Sequence, residues 1–293
     1  MTGFNEGDLP ARMSSAQSRE LGAELRQIRR AAGYRANKLA KELGWSQAKV
    51  SKLERGWRGT SAWDIAALLG RCSTDKPTRD RILNLVQEAQ LGYYLRPHHS
   101  YADGLLSLNI HESAAATLLC YEPMRIPALI QARSYASSLL NPIFSSLEQV
   151  ELMVQNRMDR QSNLQKNEDA TSVFYIHEVA LNLQVGNIAT MHGQMKWLAF
   201  LCDLERIQPR VIPLATGGHS ALCSSATLLT FDKGTAPLSY TETDVTTAFV
   251  DDEGAIDRYR WKFAVLDELA LDVRQSRAIF EQRADFYDPV IRC

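Results

Sequence analysis

The sequence lacks the features that would tie the chain to a membrane, an oxidising compartment or a structural metal. Its five cysteines are scattered and include no Cys-x-x-Cys pair, which argues against a disulfide framework and a zinc site. No apolar run approaches the roughly 20 residues that span a bilayer. Residues 1–18 are polar and contain no secretory signal. We therefore expect a cytoplasmic protein that binds no metal and enters no membrane.

The motifs of common nucleotide-binding and hydrolytic enzymes are also missing. There is no P-loop and no GxGxxG run, and Gly217–Gly218 is too short to cradle a phosphate. Ser224 and Ser225 lack the context of a nucleophile elbow. No set of His, Cys and Asp has the spacing of metal ligands. We predict no cofactor, and the evidence for catalysis is weak.

Charge is distributed unevenly along a chain whose formal net charge is only −1. Residues 19–71 contain 12 basic and 5 acidic side chains and so carry +7, whereas the other residues, with 21 basic and 29 acidic side chains, carry −8. A basic block joined to an acidic remainder favours a polyanionic partner for the first part. A bundle of solvated charged helices would have the same charge, so the spacing of apolar residues must decide.

Apolar spacing predicts five short helices between residues 19 and 92. The first is Arg19–Ala32, and the first two helices each end at a glycine. Ser46 is a good N-cap for the third helix, in which Val50 and Leu53 face inward and polar or basic side chains fall on the other faces. Such a compact all-α domain, with a basic third helix, is typical of a helix-turn-helix protein that reads a DNA major groove.

The run LAKELGWSQAKVSKLERGWRG, residues 39–59, resembles the XRE (Cro/phage-repressor-like) helix-turn-helix family. Nine residues fit the family pattern in register: Leu39, Ala40, Gly44, Ser46, Val50, Ser51, Leu53, Glu54 and Gly56. The resemblance implies that Ser46–Arg55 is the recognition helix and that double-stranded DNA is the partner. Gln47 and Lys52 are then expected on base edges, because Gln suits adenine and Lys suits guanine.

The remaining contacts implied by the resemblance go to phosphates, which position a protein without specifying sequence. Arg35–Ala36 stands where family members have Thr-Gln or Ser-Gln, so we assign a phosphate contact to Arg35, and Ala48 offers no side chain to read a base. The complete set of predicted DNA-binding residues is Arg35, Gln47, Lys49, Ser51, Lys52, Arg55 and Arg58.

The second predicted domain, residues 100–293, is α+β, with a small sheet flanked by helices. It follows a loose N-terminus, residues 1–18, and the helical domain, residues 19–92, and the break between the domains is Arg96–Pro97–His98–His99. Short β-branched segments separated by Gly, Pro and Asp predict its strands. These segments are Val173–Val185, Arg210–Leu214, Ala226–Phe231, Leu238–Thr241 and Thr246–Val250.

This second domain resembles the uncharacterised C-terminal domain of a large actinobacterial group of XRE regulators, which includes WhiJ-like developmental regulators. The matching runs are YEPMRIPALIQ, NRMDRQSNL, FYIHEVAL, PRVIPLATGGHSAL, TLLTF and IDRYRWKFAVLDELAL. The resemblance implies a sequence-specific transcriptional regulator whose C-terminal domain senses a small molecule or a small protein partner. It also implies a homodimer, because such readers bind two half-sites. It supplies no ligand.

A second function stays open for the C-terminal domain. The histidine of the TGGHS run could act as a base or grip a ligand, although a loop histidine bonded to backbone explains it as well. Asn182–Leu183 and Ser220 stand where the family has basic residues and a proline, which favours a more apolar pocket. The alternative is a regulator-derived protein of secondary metabolism that binds or transforms a hydrophobic natural product. Its residues to test are Tyr121, Glu122, Glu178 and His219.

Overall fold

The structure, a computed structural model, describes residues 15–56, 61–87, 93–97, 101–141, 143, 146–166, 169–232 and 235–289. Most of the predicted loose N-terminus, together with Arg58 and the His98–His99 pair of the predicted break, lies outside the described residues. The described residues form a helical N-terminal domain followed by a mixed sheet covered by helices. The predicted fold class is confirmed.

The N-terminal domain packs its helices around a core of aliphatic side chains that includes Leu25, Leu39, Leu53 and Ile65. Its helices are α1 (Ala16–Ala31), α2 (Ala36–Glu42), α3 (Gln47–Glu54), α4 (Ala62–Arg71) and α5 (Lys76–Gln87). Helix α1 begins three residues before the predicted Arg19, because the Ser15 hydroxyl accepts a hydrogen bond from the backbone of Ser18 at 3.1 Å.

Helix α1 and the end of α3 approach each other backbone to backbone. Gly56 has φ +70°, and a Cβ at this position would collide with the Ser18 carbonyl. A Cβ on Gly22 would lie 2.7 Å from the Gly56 nitrogen, closer than real side chains come. This contact fixes the position of α3 against α1.

Two buried glutamates, Glu54 and Glu24, hold the helical domain together through ion pairs that involve α1. The Arg29 guanidinium of α1 donates to the Glu54 carboxylate at the end of α3, with Nη2 to Oε2 at 3.0 Å. Glu24 of α1, which is 3 % exposed, accepts from Arg81 of α5 at 2.9 Å. Helix α1 is therefore tied by ion pairs to both α3 and α5.

The C-terminal domain is built on a seven-stranded sheet of described residues with the order β1-β7-β6-β5-β2-β3-β4. Its strands are β1 (Tyr93–Pro97), β2 (Thr117–Glu122), β3 (Thr171–His177), β4 (Ile207–Ile212), β5 (Ala226–Thr230), β6 (Leu238–Glu242) and β7 (Thr246–Val250). Strands β2, β3 and β4 run parallel, and the other pairings are antiparallel.

Helices cover both faces of this sheet. They are α6 (Tyr101–Ser113), α7 (Arg133–Leu140), α8 (Leu147–Lys166), α9 (Glu178–Asn182), α10 (Ile188–Leu201), α11 (Glu253–Leu269) and α12 (Val273–Phe286). Helix α11 packs on one face through Phe263 and Leu266, against Tyr121 and Tyr175. Side chains of α6, α10 and α12 pack with the inward residues of the other face.

Three segments differ from the sequence prediction. The predicted strand segment Val173–Val185 is a strand only as far as His177, because helix α9 follows at Glu178–Asn182. The pattern predicts a break between the domains at Arg96, whereas Tyr93–Pro97 pairs with β7 and is alternately exposed and buried. A charged residue, Arg96, occupies an inward position and hides the alternation. Strand β2 precedes the two prolines of YEPMRIP and is covered on both faces, with Leu118 and Cys120 in one core and Leu119 and Tyr121 in the other, so its apolar run shows no alternation either.

Among the described residues, no helix has both the length and the apolar content needed to cross a membrane. Within the same part of the chain, no group of three His, Cys, Asp or Glu side chains could hold a metal ion.

Candidate DNA-binding surface and C-terminal cavity

The turn before α3 is built as the sequence predicts. Gly44 has φ +67°, a conformation that glycine adopts without steric cost. The Ser46 hydroxyl caps α3 by accepting from the backbone nitrogen of Lys49 at 3.2 Å. Val50 and Leu53 are buried in the helical core, so the opposite side of α3 faces outward.

Most of the predicted DNA-binding side chains lie on exposed positions. Gln47 and Lys52, the predicted base contacts, are both exposed, and Ser51 is half-buried between them. Arg55 is exposed and its Nε donates to the Ser51 carbonyl at 3.1 Å. Arg35 is exposed at the N-cap of α2. The seventh predicted contact, Arg58, lies outside the described residues.

Lys49 is engaged within the protein. Its Nζ lies 2.7 Å from Asp64 Oδ1 on α4 and 4.3 Å from the centre of the Trp45 ring. A phosphate at this position would have to compete with the Asp64 carboxylate. The neighbouring Trp63 is 86 % exposed, and no prediction includes it. The sequence could have indicated this exposure, because Trp63 lies at the start of a helix whose buried side chains are aliphatic.

Helix α1 joins the C-terminal domain through a buried cluster that we call the interdomain joint: Glu20, Tyr94, Arg96, Ser107 and His111. Arg96 of β1 donates to the Glu20 carboxylate through Nε at 2.9 Å and Nη2 at 3.3 Å. The Ser107 hydroxyl of α6 donates to the same carboxylate at 2.7 Å. Glu20, Ser107 and His111 are each 1 % exposed.

The interdomain joint keeps its carboxylate charged. Burial by itself would raise the pKa of Glu20, but the His111 imidazole and the Arg96 charge outweigh it and lower this pKa to about 2. His111 Nε2 lies 2.9 Å from the Tyr94 hydroxyl and 3.7 Å from Glu20 Oε2. Burial lowers the pKa of His111. The joint therefore consists of an ionised carboxylate, a guanidinium and a neutral imidazole.

A second set of contacts anchors the start of α1 to the sheet. The Ala16 backbone nitrogen donates to Asp251 Oδ2 at 2.7 Å, just after β7. Arg19 donates from Nη2 to the Ala236 carbonyl at 3.1 Å, and its guanidinium lies 4.7 Å from the centre of the Phe231 ring. The first helix of the N-terminal helical domain is thus part of the C-terminal domain's packing as well.

The C-terminal domain contains an open cavity of about 340 Å³, including the solvent at its mouth. It lies between β2, β5 and β6 of the sheet, the short turn Ala128–Ile130 and helix α8. Its lining includes Glu122, Ala128, Leu129, Arg160, Tyr240 and Glu242.

One wall of the cavity is a buried ion pair. Arg160, which is 4 % exposed, donates to Glu112 of α6 through Nε at 2.8 Å and Nη2 at 2.6 Å. The Tyr240 hydroxyl donates to the same carboxylate at 2.5 Å. Nη1 of Arg160 makes no hydrogen bond with any described residue.

The other carboxylates of the cavity are less well paired. Glu122 accepts from Arg125 at 3.1 and 3.2 Å; burial raises the pKa of its carboxyl, although the Arg125 charge opposes the shift. Within the described part of the chain, Glu242 has no hydrogen-bonding or ion-pair partner for its carboxylate. Burial lowers the pKa of the nearby Arg157 to about 10, and its guanidinium is held by Gln131 at 2.6 Å.

The four residues of the enzymatic alternative are not assembled into one cleft. Tyr121 and Glu122 are successive residues of β2 and so face opposite sides of the sheet. Tyr121 is buried under α11 and donates to the Leu222 carbonyl at 3.1 Å. Glu178 accepts from the Leu214 backbone at 2.9 Å. Three of the four candidates are thus on the side of residues 213–223, away from the cavity.

His219 behaves as a backbone-bonded loop histidine. Its Nδ1 accepts from the backbone nitrogen of Ala221 at 3.0 Å and caps the turn Ser220–Leu222. Asn182, Leu183 and Ser220, on which the expectation of a more apolar pocket rests, are not among the cavity-lining residues. Of the four candidates, Glu122 alone lines the cavity of the described residues.

Comparisons with known protein families agree with this two-part organisation. Residues 105–282, more than half of the chain, match a family model described as Domain of unknown function (DUF5753). Residues 20–82 match a model described as Helix-turn-helix domain. A search of curated proteins finds no match to the chain.

Proposed function

The chain belongs to the family described as Domain of unknown function (DUF5753), and we propose that it is a sequence-specific transcriptional regulator whose C-terminal domain senses a small molecule. Its helix-turn-helix domain indicates a DNA-binding regulator. The observation that carries the proposal is the capped helix α3, which buries Val50 and Leu53 and presents Gln47 and Lys52 to solvent. A protein of this kind would act in the cytoplasm on an operator of double-stranded DNA.

The sensing role is supported by one helix that contacts both the cavity and the interdomain joint. His111 and Glu112 are successive residues of α6. Glu112 holds two lining residues of the cavity, Arg160 and Tyr240, while His111 lies against Glu20 of α1. A ligand that moved the Arg160 wall would therefore pull on α6 next to the joint.

The joint continues into the recognition helix through α1. Glu20 lies in the first half of α1 and Arg29 in its last turn, where the guanidinium is paired with Glu54 at the end of α3. The Gly22–Gly56 contact leaves no slack between these two helices. A displacement of α1 at the joint would thus change the placement of α3.

The DNA-binding part of the proposal is tested with fluorescence anisotropy on the DNA upstream of the chain's own coding region. We expect an affinity that falls steeply with salt, because phosphate contacts release counterions. Lys52→Ala combined with Gln47→Ala should relax the preference for that DNA over an unrelated duplex. Lys196→Ala, which removes an exposed lysine of α10, is the matched control and should bind as the wild type does.

Failure to bind the upstream DNA at low salt would overturn the proposal. Equal loss of affinity in the Lys196→Ala control would assign the effect to net charge rather than to α3.

We further propose a homodimer, because helix-turn-helix readers bind two half-sites one helical turn apart. The XRE-like run at residues 39–59 and the resemblance to actinobacterial regulators support this assembly, and they also support a small protein partner. Light scattering of the purified chain should give twice the 32.9 kDa mass of one chain. A monomer that also binds DNA as one copy would contradict the dimer.

A further inference from the structure

We propose that Asp64 of α4 withholds Lys49 of α3 from DNA and thereby limits the affinity for DNA of any sequence. This inference rests on the DNA-binding function proposed above, and it departs from the phosphate contact that the sequence predicts for Lys49. It is drawn from the contacts between the first turns of the two helices.

The ammonium of Lys49 has two partners within the protein. Its Nζ lies 2.7 Å from Asp64 Oδ1 and 4.3 Å from the centre of the Trp45 ring. The carboxylate and the face of the tryptophan ring both attract this charge. The lysine side chain is 40 % exposed and the aspartate side chain 27 %, so both reach the surface of the domain. Lys49 is therefore held at the surface on which DNA contacts are expected.

The two charged residues occupy equivalent positions at the starts of their helices. Ser46 caps α3 through the backbone nitrogen of Lys49 at 3.2 Å, and Ser61 caps α4 through that of Asp64 at 3.1 Å. An acid in the first turn is favoured by the helix dipole, whereas a base there is disfavoured. The Asp64 carboxylate thus compensates for a lysine that α3 by itself would not favour.

Lys49 lies in the part of α3 that meets DNA in helix-turn-helix proteins. The N-terminal residues of a recognition helix approach the major groove, and the exposed Gln47 is in the same turn as Lys49. A phosphate oxygen bonded to Nζ in its observed position would lie within about 5.5 Å of Asp64 Oδ1. Salt screens like charges only partly at this distance, because the Debye length is about 8 Å at physiological ionic strength. Asp64 therefore repels the phosphate that Lys49 would attract.

The ion pairs of the helical domain distinguish Asp64 from the other acids between residues 19 and 71. Each of these five acids forms an ion pair. Four of them have arginine partners outside the set of predicted DNA-binding residues: Glu20 with Arg96, Glu24 with Arg81, Glu42 with Arg71 and Glu54 with Arg29. The partner of Asp64 is a predicted DNA-binding residue. This pair removes one positive charge from the surface that a polyanion would meet.

The neutralised lysine affects all DNA sequences alike. Phosphate contacts carry no sequence information, so the loss of one lowers the affinity for every duplex by a similar factor. Sequence preference is then left to the predicted base contacts, Gln47 and Lys52, while less protein is held on unrelated DNA. Asp64 is thus a positioning residue that acts on DNA through Lys49.

The experiment measures fluorescence anisotropy of the full chain on the upstream DNA and on an unrelated duplex, between about 50 and 200 mM salt. Asp64→Asn keeps the shape of the side chain and frees Lys49, so the slope of log affinity against log salt should steepen by about 0.9. Its affinity advantage over the wild type should shrink by about 3.5-fold across this range, equally on both duplexes. Lys49→Gln combined with Asp64→Asn removes both charges of the pair and should keep the wild-type slope.

Glu42→Gln is the matched control for Asp64→Asn. It removes the carboxylate of another surface pair of this domain, in which the partner Arg71 lies at the other end of α4. The side chains of that pair are exposed to a similar degree, 48 % for Arg71 and 24 % for Glu42. The change in net charge is the same in both variants, so the control measures the general effect of one charge and should keep the wild-type slope. Melting curves verify that all variants fold.

A slope shallower by about 0.9 in the double variant would overturn the inference, because Lys49 would then contact a phosphate in the wild type. The same holds for a wild-type slope in Asp64→Asn, for a gain no larger than that of Glu42→Gln, and for a gain confined to the upstream DNA. In these cases the wild type still binds DNA, and the proposed function stands. A wild type that binds neither duplex contradicts the proposed function and this inference together.

Discussion

The interdomain joint and the C-terminal cavity both place carboxylates beside arginines, and they treat those carboxylates differently. In the joint, Glu20 receives hydrogen bonds from Arg96 and Ser107 and its pKa is lowered to about 2. In the cavity, the pKa of Glu122 is raised by burial, and no described residue bonds to Glu242. The joint is complete without any further molecule, whereas the cavity has polar groups to spare. This difference separates a closed ion-pair cluster from one in which Glu242 is half-buried and without a described hydrogen-bonding partner.

Removal of the joint's carboxylate should give the largest effect. Glu20→Ala removes the carboxylate that accepts from Arg96, and breaking a buried ion pair in this way costs about 3–5 kcal/mol. Urea unfolding monitored by circular dichroism measures this loss. A loss of unfolding free energy below about 1 kcal/mol would show that water reaches the Glu20–Arg96 pair in solution. The joint and the cavity would then not differ in how their carboxylates are paired.

Protonation in acid should lower the stability contributed by Glu20 and should relieve the cost of burying Glu122. Because the pKa of Glu20 is lowered from 4.5 to about 2, its contribution of about 3 kcal/mol is complete above pH 4.5 and is lost as the pH falls toward 2. The pKa of Glu122 is raised, so protonation of this group instead relieves a cost of burial. Unfolding free energies of the wild type and Glu20→Gln, compared between pH 4.5 and 2, should decline less steeply in the variant. Parallel declines would contradict the assignment of the joint.

A single hydrogen bond of the joint should be worth less than the ion pair. Ser107→Ala removes the 2.7 Å bond to Glu20 and should lower the free energy of unfolding by about 1–2 kcal/mol. Ser113→Ala, on an exposed turn of the same helix, should change it by less than about 0.5 kcal/mol. If the two variants are equal, the Ser107 hydroxyl does not support the joint.

The smallest effect is expected in the cavity. Glu242→Gln breaks no contact with the described residues, so without ligand it should shift the free energy of unfolding by less than about 0.5 kcal/mol. The same urea experiment provides the measurement. A loss comparable to that of Glu20→Ala would mean that Glu242 has a structural partner, and the distinction between joint and cavity would fail.

The helix-turn-helix could be predicted from sequence because its determinants are local. Ser46 lies three residues from the nitrogen it caps, and Val50 and Leu53 are spaced for one helix face. The interdomain joint could not be predicted in this way. Glu20 and Arg96 are 76 positions apart and each reads as an ordinary surface charge, because nothing near them in the chain indicates their burial.

Only part of the cavity lining could be predicted from the sequence. Glu122 could be named because it stands in the distinctive YEPMRIP run, yet its partners on the cavity wall come from distant segments. Arg160 resembles a solvated helix charge until α8 is packed against α6, and Glu242 lies at the end of a short strand. Tyr121 and His219 were drawn into the same hypothesis by chemistry alone, and strand alternation separates Tyr121 from Glu122.

The pairing of β1 with β7 has a consequence for dividing the chain into fragments. Strand β1 forms one edge of the sheet, and β7 becomes the edge if a C-terminal fragment begins after Pro97. Its unpaired backbone donors and acceptors would then offer a template for strand addition by other molecules. Such a fragment should self-associate through β7, and fragments intended to stay dispersed should begin before Tyr93.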